Sequence, residues 1–160
     1  MIYKTSLDNI AKGVTIGVTI LFAAIIGRQM FLIKDTGLSI PIITSVLLLV
    51  IYFGTFLFRP INYNLTNEKL IIHRPLTDVK IDRKEIKSVE QLDKGKLAWT
   101  IRTFGVGGLF GYWGRFSNRK IGSMTWYATR RNKAVLVTTI SDKKIVLTPD
   151  EPEQFVGAFN

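Results

Sequence analysis

The sequence predicts an α+β protein: an N-terminal transmembrane helical hairpin, then a seven-stranded antiparallel β-domain closed by a C-terminal helix. Three observations carry this. Residues 13–33 and 38–58 are two long apolar segments separated only by Lys34, Asp35, Thr36 and Gly37. Beyond Arg59 the apolar period changes from helical to alternating. The last strand then gives way to Asp150-Glu151-Pro152-Glu153, a helix-start pattern ahead of Phe155, Val156 and Phe159.

The second apolar segment has 21 residues without a formal charge. As a helix it is roughly 31 Å long, enough to cross a bilayer core. The first is of similar length and is interrupted by Arg28-Gln29; Arg28 lies near the loop end, placed to snorkel toward headgroups or to face the second helix. Lys4 and Lys12 imitate the charged start of a cleaved signal. The length of the run, the lack of a small-x-small site and the second segment argue for a retained hairpin. Pro41 falls in the first turn of the second helix, where a missing N–H costs little, and Gly13, Gly17 and Gly27 are small packing candidates. Lys4 and Lys12 on one side and Arg59, Lys69 and Arg74 on the other outweigh the single Lys34 in the loop, which predicts both termini in the cytoplasm.

Residues 1–59 therefore read as lead-in and hairpin, and residues 60–160 as one small domain. The net charge is +10, and residues 59–160 hold 18 basic and ten acidic groups. The absence of cysteine excludes disulfides and thiolate chemistry. His73 is the only histidine, so no His-based metal site or Ser/His/Asp triad can be assembled, and a half-buried, hydrogen-bonded imidazole is its expected role. The acidic groups are scattered and form no general acid–base pair. The expectation is a non-enzymatic protein without metal or cofactor.

Along the domain, 61–65 and 69–74 alternate as a hairpin around the short turn Thr66-Asn67-Glu68, and 79–81 is a short strand. Asp82 opens one turn of helix to Ile86. Strands follow at 87–92 and 97–103. Residues 105–122 hold six glycines and read as irregular. Strands at 123–129, 134–139 and 143–148 precede the terminal helix, where Asp150 and Glu153 are spaced as a capping box.

This order resembles the pleckstrin-homology-like fold, specifically the bacterial membrane-anchored PH domains. The resemblance is carried by the hairpin running into Arg59-Pro60-Ile61-Asn62-Tyr63, by residues 81–89, by Phe104-Gly105-Val106-Gly107-Gly108-Leu109-Phe110-Gly111, and by residues 143–155. It implies a β-sandwich whose open end is plugged by the terminal helix, with Phe155 where better-known members carry tryptophan, and a place in the bacterial inner membrane. Phosphoinositide-binding relatives cradle phosphates around the first hairpin loop. Here that loop, Thr66-Asn67-Glu68-Lys69, has one basic residue, so that site does not carry over.

Two surface features remain. From Lys94 to Ser141 there are nine Lys or Arg residues and no Asp or Glu. Arg115, Arg119, Lys120, Arg130, Arg131 and Lys133 are the candidates for anionic lipid headgroups or a partner, against a merely solvated positive face. Phe110, Tyr112, Trp113 and Phe116 are candidates for dipping into the membrane interface, against packing between sheets. The glycines match no phosphate loop, and no nucleic-acid motif accompanies the basic and aromatic residues. The expected function is a membrane-anchored binding or scaffolding module whose partners are lipids, another protein or further copies of itself. The alternative is an accessory subunit docking a protein partner on the β-domain.

Overall fold

The computed structural model describes residues 1–36 and 39–159; Gly37 and Leu38, within the predicted inter-helix turn, and Asn160 lie outside it. Helix α1 spans Asn9–Thr36 and α2 spans Ser39–Leu57, both long and apolar enough to cross a membrane. Helix α1 begins four residues before the predicted position 13 because Asp8 caps it. Its Oδ1 accepts from Ala11 N–H at 2.7 Å and its carbonyl from Lys12 N–H at 2.9 Å. The helices touch through side chains other than the small ones the sequence suggests. Thr19 and Tyr52 hydroxyls meet at 2.9 Å, Ser45 Oγ donates to Gln29 Oε1 at 2.9 Å, and Phe22 lies 6.2 Å from the Tyr52 ring. Gly13, Gly17 and Gly27 face open space, where a β-carbon would meet nothing within 4 Å.

The lead-in is not a free tail. Ile2–Lys4 forms β1, antiparallel to β2 (Asn62–Leu65), with Tyr3 opposite Tyr63. The first sheet is β1-β2-β3-β4, with β3 at Lys69–His73 and β4 at Val79–Asp82. The helical hairpin is thus inserted between two neighbouring strands of one sheet. The second sheet contains β5 (Ile86–Gln91), β6 (Ile101–Gly108), β7 (Gly111–Asn118), β8 (Gly122–Ala128), β9 (Val135–Thr139) and β10 (Lys144–Leu147), in the order β5-β9-β10-β8-β7-β6. All pairs are antiparallel except β10–β8. Strand β9 lies outside β10, so the chain returns along β8 in the same direction. Helix α3 is Pro152–Gly157.

Four local expectations are corrected. The glycine stretch is ordered as the β6–β7 hairpin; its regularity is hidden because Gly105 and Gly114, directly opposite each other, both have positive φ (102° and 121°). Residues 97–100 are not strand, because Leu97 turns inward onto the core after a 3-10 turn at Lys94–Lys96, and pairing starts at Ile101. The capping box does not form: Glu151 occupies the cap position with no side-chain bond, because the Asp150 carboxylate is taken by Arg130 and Ser6. The one-turn helix opened by Asp82 is a 3-10 turn at Arg83–Glu85, and Asp82 pairs with Lys69 at 3.5 Å instead of capping it.

One core lies between the sheets. Tyr63, Leu70, Ile72, Val135, Val137 and Leu147 are fully buried there, and Phe155 of α3 closes the end with Tyr3 edge-on at 5.0 Å. Burying Phe155 stabilises the fold by about 3 kcal/mol. A second core on the far face of the second sheet contains Tyr112, Phe116, Met124, Trp126, Leu136 and Val146, covered by Leu92, Leu97 and Ala11. Phe116 and Trp126 stack at 4.6 Å.

Candidate functional site

The helical hairpin joins the domain without a flexible linker. On the incoming side the Met1 ammonium donates to Leu65 O at 2.7 Å and Thr5 Oγ1 to Thr148 O at 2.6 Å. Ser6 N–H donates to Asp150 Oδ1 at 3.1 Å, and Arg130 spans Ser6 and Asp150, its Nε reaching Ser6 O at 3.0 Å. Asp8, besides capping α1, accepts from Arg131 N–H at 3.0 Å and from the Tyr112 hydroxyl at 3.3 Å. Burial, then the neighbouring Asp8 carboxylate, pushes the Tyr112 phenol up to about 12, so it stays a donor at any ordinary pH. On the outgoing side Pro60 is buried, Ile61 N–H donates to His73 O at 2.8 Å, and Leu76 N–H to Leu57 O at 3.1 Å. His73 is half-buried with Nδ1 3.1 Å from Asp78 Oδ2, its expected role.

Between these two attachments the tip of the β6–β7 hairpin wedges against both helices. Phe110 N–H donates to Thr15 Oγ1 of α1 at 3.0 Å, and its ring meets Tyr52 at 5.0 Å and Phe56 at 5.3 Å edge-on. Arg59 lies 4.4 Å over the Phe56 ring. Further down, Trp113 faces Phe58 at 5.4 Å. Of the four aromatics with a predicted interface role, Phe110, Tyr112 and Phe116 are therefore packed inside the protein, at 7%, 1% and 1% exposure. The reason is the hairpin itself, whose rings fill the second core and the helix foot. Trp113 is half-buried.

The six basic candidates do not converge. Arg130, Arg131 and Lys133 gather at the foot of α1. There the Arg130 side chain is 13% exposed and committed to Asp150, Lys133 Nζ donates to Asp150 O at 3.0 Å, and the Arg131 guanidinium lies 5.3 Å over Tyr112. Arg119 and Lys120 sit in the β7–β8 turn at the opposite end of the hairpin, and Arg115 projects from the middle of β7. All three are exposed. Beside these three are residues sequence reasoning passed over: Trp99 and Ile101 near Arg119 and Lys120, and Phe104 opposite Arg115, exposed by 94%, 65% and 71%. The readable signal was three large apolar residues within six positions, beside the basic stretch, obscured by assigning residues 97–103 to a strand.

The turn between β2 and β3 is closed by Thr66, whose Oγ1 accepts from Lys69 N–H at 2.9 Å, and its one cation, Lys69, faces Asp82. Among the described residues no group of three or more metal-ligating side chains comes together. The family model described as Bacterial PH domain matches residues 61–160, well over half of the chain. The chain belongs to the bacterial PH domain family. Curated proteins and solved structures searched with the chain give no match. The match to this PH domain covers β2 to α3; β1, which completes the first sheet, and the inserted hairpin lie outside it. Membership makes it a PH-like module, a class that generally binds rather than catalyses.

Proposed function

We propose that the protein is a membrane-anchored, non-catalytic PH-like binding module, its β-domain held against the cytoplasmic leaflet by the helical hairpin. The observation that carries this is the hairpin's apolar surface. Ile16, Ile20, Ile43 and Val50 are each more than 60% exposed, on helices that the domain contacts only at their foot. Such a surface has no place in water and matches lipid. The clamp at β1, Asp8, Phe110 and Pro60 then fixes the orientation of the domain instead of leaving it on a tether. Lys12, Arg59, Arg131 and Lys133 form the cationic collar nearest the bilayer. Each cation at an anionic surface contributes about 1 kcal/mol within a Debye length. Arg130 serves the clamp.

The test is in two parts. Full-length protein is expected to stay in the pellet after alkaline carbonate washing of membranes, and residues 61–160 to be cleaved by protease only in inside-out vesicles. Protein purified in mild detergent is expected to retain anionic phospholipid, detected by mass spectrometry, and to lose it in Arg131→Glu/Lys133→Glu. Release by carbonate would refute the anchor; equal lipid retention by the variant would refute the collar.

A further inference from the structure

We propose that the face of the β6–β7 hairpin around Trp99 is a docking site for an extended, acidic segment of a partner protein carrying aromatic or leucine side chains. It goes beyond the anchoring reading and rests on it only for the direction of the bilayer.

The face is built by a bulge. The register steps from Arg102↔Phe116 to Phe104↔Arg115, so Thr103 is the extra residue. Ile101 stands opposite Ser117 and Phe104 opposite Arg115, and residues 115 and 117 point to one side of the sheet. Two exposed apolar side chains and an arginine thereby share one surface, which the alternation of an unbroken strand would have divided.

Trp99 extends it. The largest side chain in the repertoire is held 94% exposed on a residue with φ of 59°, in the left-handed region where a bulky residue is an outlier. Leu97, anchored in the second core, and β6, starting at Ile101, fix the connector on both sides. An outlier that costs stability and buries nothing is the pattern of a binding position. A groove of about 680 Å³ runs from Trp99 and Ile101 to Asn118, Arg119 and Lys120. Tryptophan beside arginine is the composition that dominates protein interfaces.

Charge selects the occupant. Arg115, Arg119 and Lys120 are all exposed, and the chain has no acidic residue from Lys94 to Ser141. A second copy, also at +10, would bring like charge to like. Position keeps headgroups from the Arg119–Lys120 end of the face. Down α2, Tyr52 and Phe56 face Phe110 while Phe58 faces Trp113, so β7 runs beside α2 and away from the bilayer. The eight residues of β7 put Arg119 and Lys120 roughly 23 Å beyond the hairpin tip. That is more than two Debye lengths of about 8 Å. The Thr103 bulge and the positive φ of Gly105 blunt β6 as an edge, so recognition runs through side chains on the face instead of an added strand.

The test uses full-length protein in neutral-lipid nanodiscs and four labelled ten-residue peptides: acidic with aromatics, acidic alone, aromatic alone, and basic with aromatics. Fluorescence anisotropy is expected to show salt-sensitive binding of the first, at least about tenfold tighter than the others. Trp99 emission, the most exposed of the three tryptophans, is expected to shift to the blue. Trp99→Gly relieves the backbone and is expected to raise the melting temperature while abolishing both signals, and Arg119→Glu/Lys120→Glu abolishes binding. No preference for the acidic aromatic peptide, or binding unchanged by Trp99→Gly, overturns the proposal. A blue shift of Trp99 on moving to anionic nanodiscs without peptide overturns it in favour of lipid. Release by carbonate bears on the anchor alone, since the peptide experiment reads a different surface.

Discussion

Phe110 is where the helical hairpin and the PH domain are most directly coupled, and its removal has a calculable cost. The ring is 7% exposed and packs edge-on against Tyr52 and Phe56 at 5.0 and 5.3 Å. Truncating a buried phenylalanine costs about 3 to 5 kcal/mol. Each edge-to-face pair accounts for about 1 kcal/mol beyond the area buried. Phe110→Ala is therefore expected to destabilise the full-length protein by about 3 kcal/mol, the low end of that range. In a double-mutant cycle, Phe110→Ala with Phe56→Ala should show a coupling energy of about 1 kcal/mol, whereas Phe110→Ala with Phe155→Ala, in a separate core, should be additive. Equilibrium unfolding in micelles measures both, and hydrogen exchange over residues 101–118 should rise in the single variant. A cycle with Phe56 that closes to within about 0.3 kcal/mol of additivity would refute the wedge.

Other expectations follow from single features. A β-carbon on Gly114 would fall on the Phe104 carbonyl and 2.8 Å from Gly105 Cα at a φ of 121°, so Gly114→Ala should cost at least about 2 kcal/mol in denaturant titration. Asp150→Ala leaves Arg130, whose side chain is 13% exposed, without its partner; since Asp150 itself is one-third open to solvent, the loss should be about 1 to 2 kcal/mol, with faster exchange in residues 2–8. The Tyr112 phenol is raised from 10.0 to about 12 in the folded protein, so its contribution is fully present below pH 10 and is lost as pH rises toward 12. Melting followed by circular dichroism should fall more steeply over that window in the native protein than in Tyr112→Phe.

The two helices were legible because 21 consecutive uncharged residues in one, and a single charge, Arg28, in the other, leave few alternatives, and most strands because their alternation is clean at Tyr63, Leu65, Leu70 and Ile72. Phe155 as the plug was equally plain from its helical spacing to Phe159. The β6–β7 hairpin was not, since the Thr103 bulge and the paired glycines shift the period-two pattern wherever it might be read. Strand β1 escaped because three residues carry no period and their partner lies about sixty positions on. At Asp150 a local rule lost to a distant one: the carboxylate is spaced to cap α3, but Arg130 offers an ionic partner from another loop. The basic run looked like one site because its members are close in sequence. An eight-residue strand, with Arg115 in its middle, separates Arg119 and Lys120 from the helix foot, and Arg131 and Lys133 return to it.

The clamp itself is most directly measured by pulsed electron paramagnetic resonance in lipid nanodiscs. The chain has no cysteine, so spin labels go only where they are placed, here at Leu47→Cys on α2 and Lys87→Cys on β5, both exposed positions. A domain fixed at β1, Asp8, Phe110 and Pro60 gives one narrow distance distribution, broadened on adding Phe110→Ala and Asp150→Ala together. A broad distribution in the unaltered clamp would mean that the PH domain swings freely on its helices, contradicting the rigid join on which its orientation at the membrane depends.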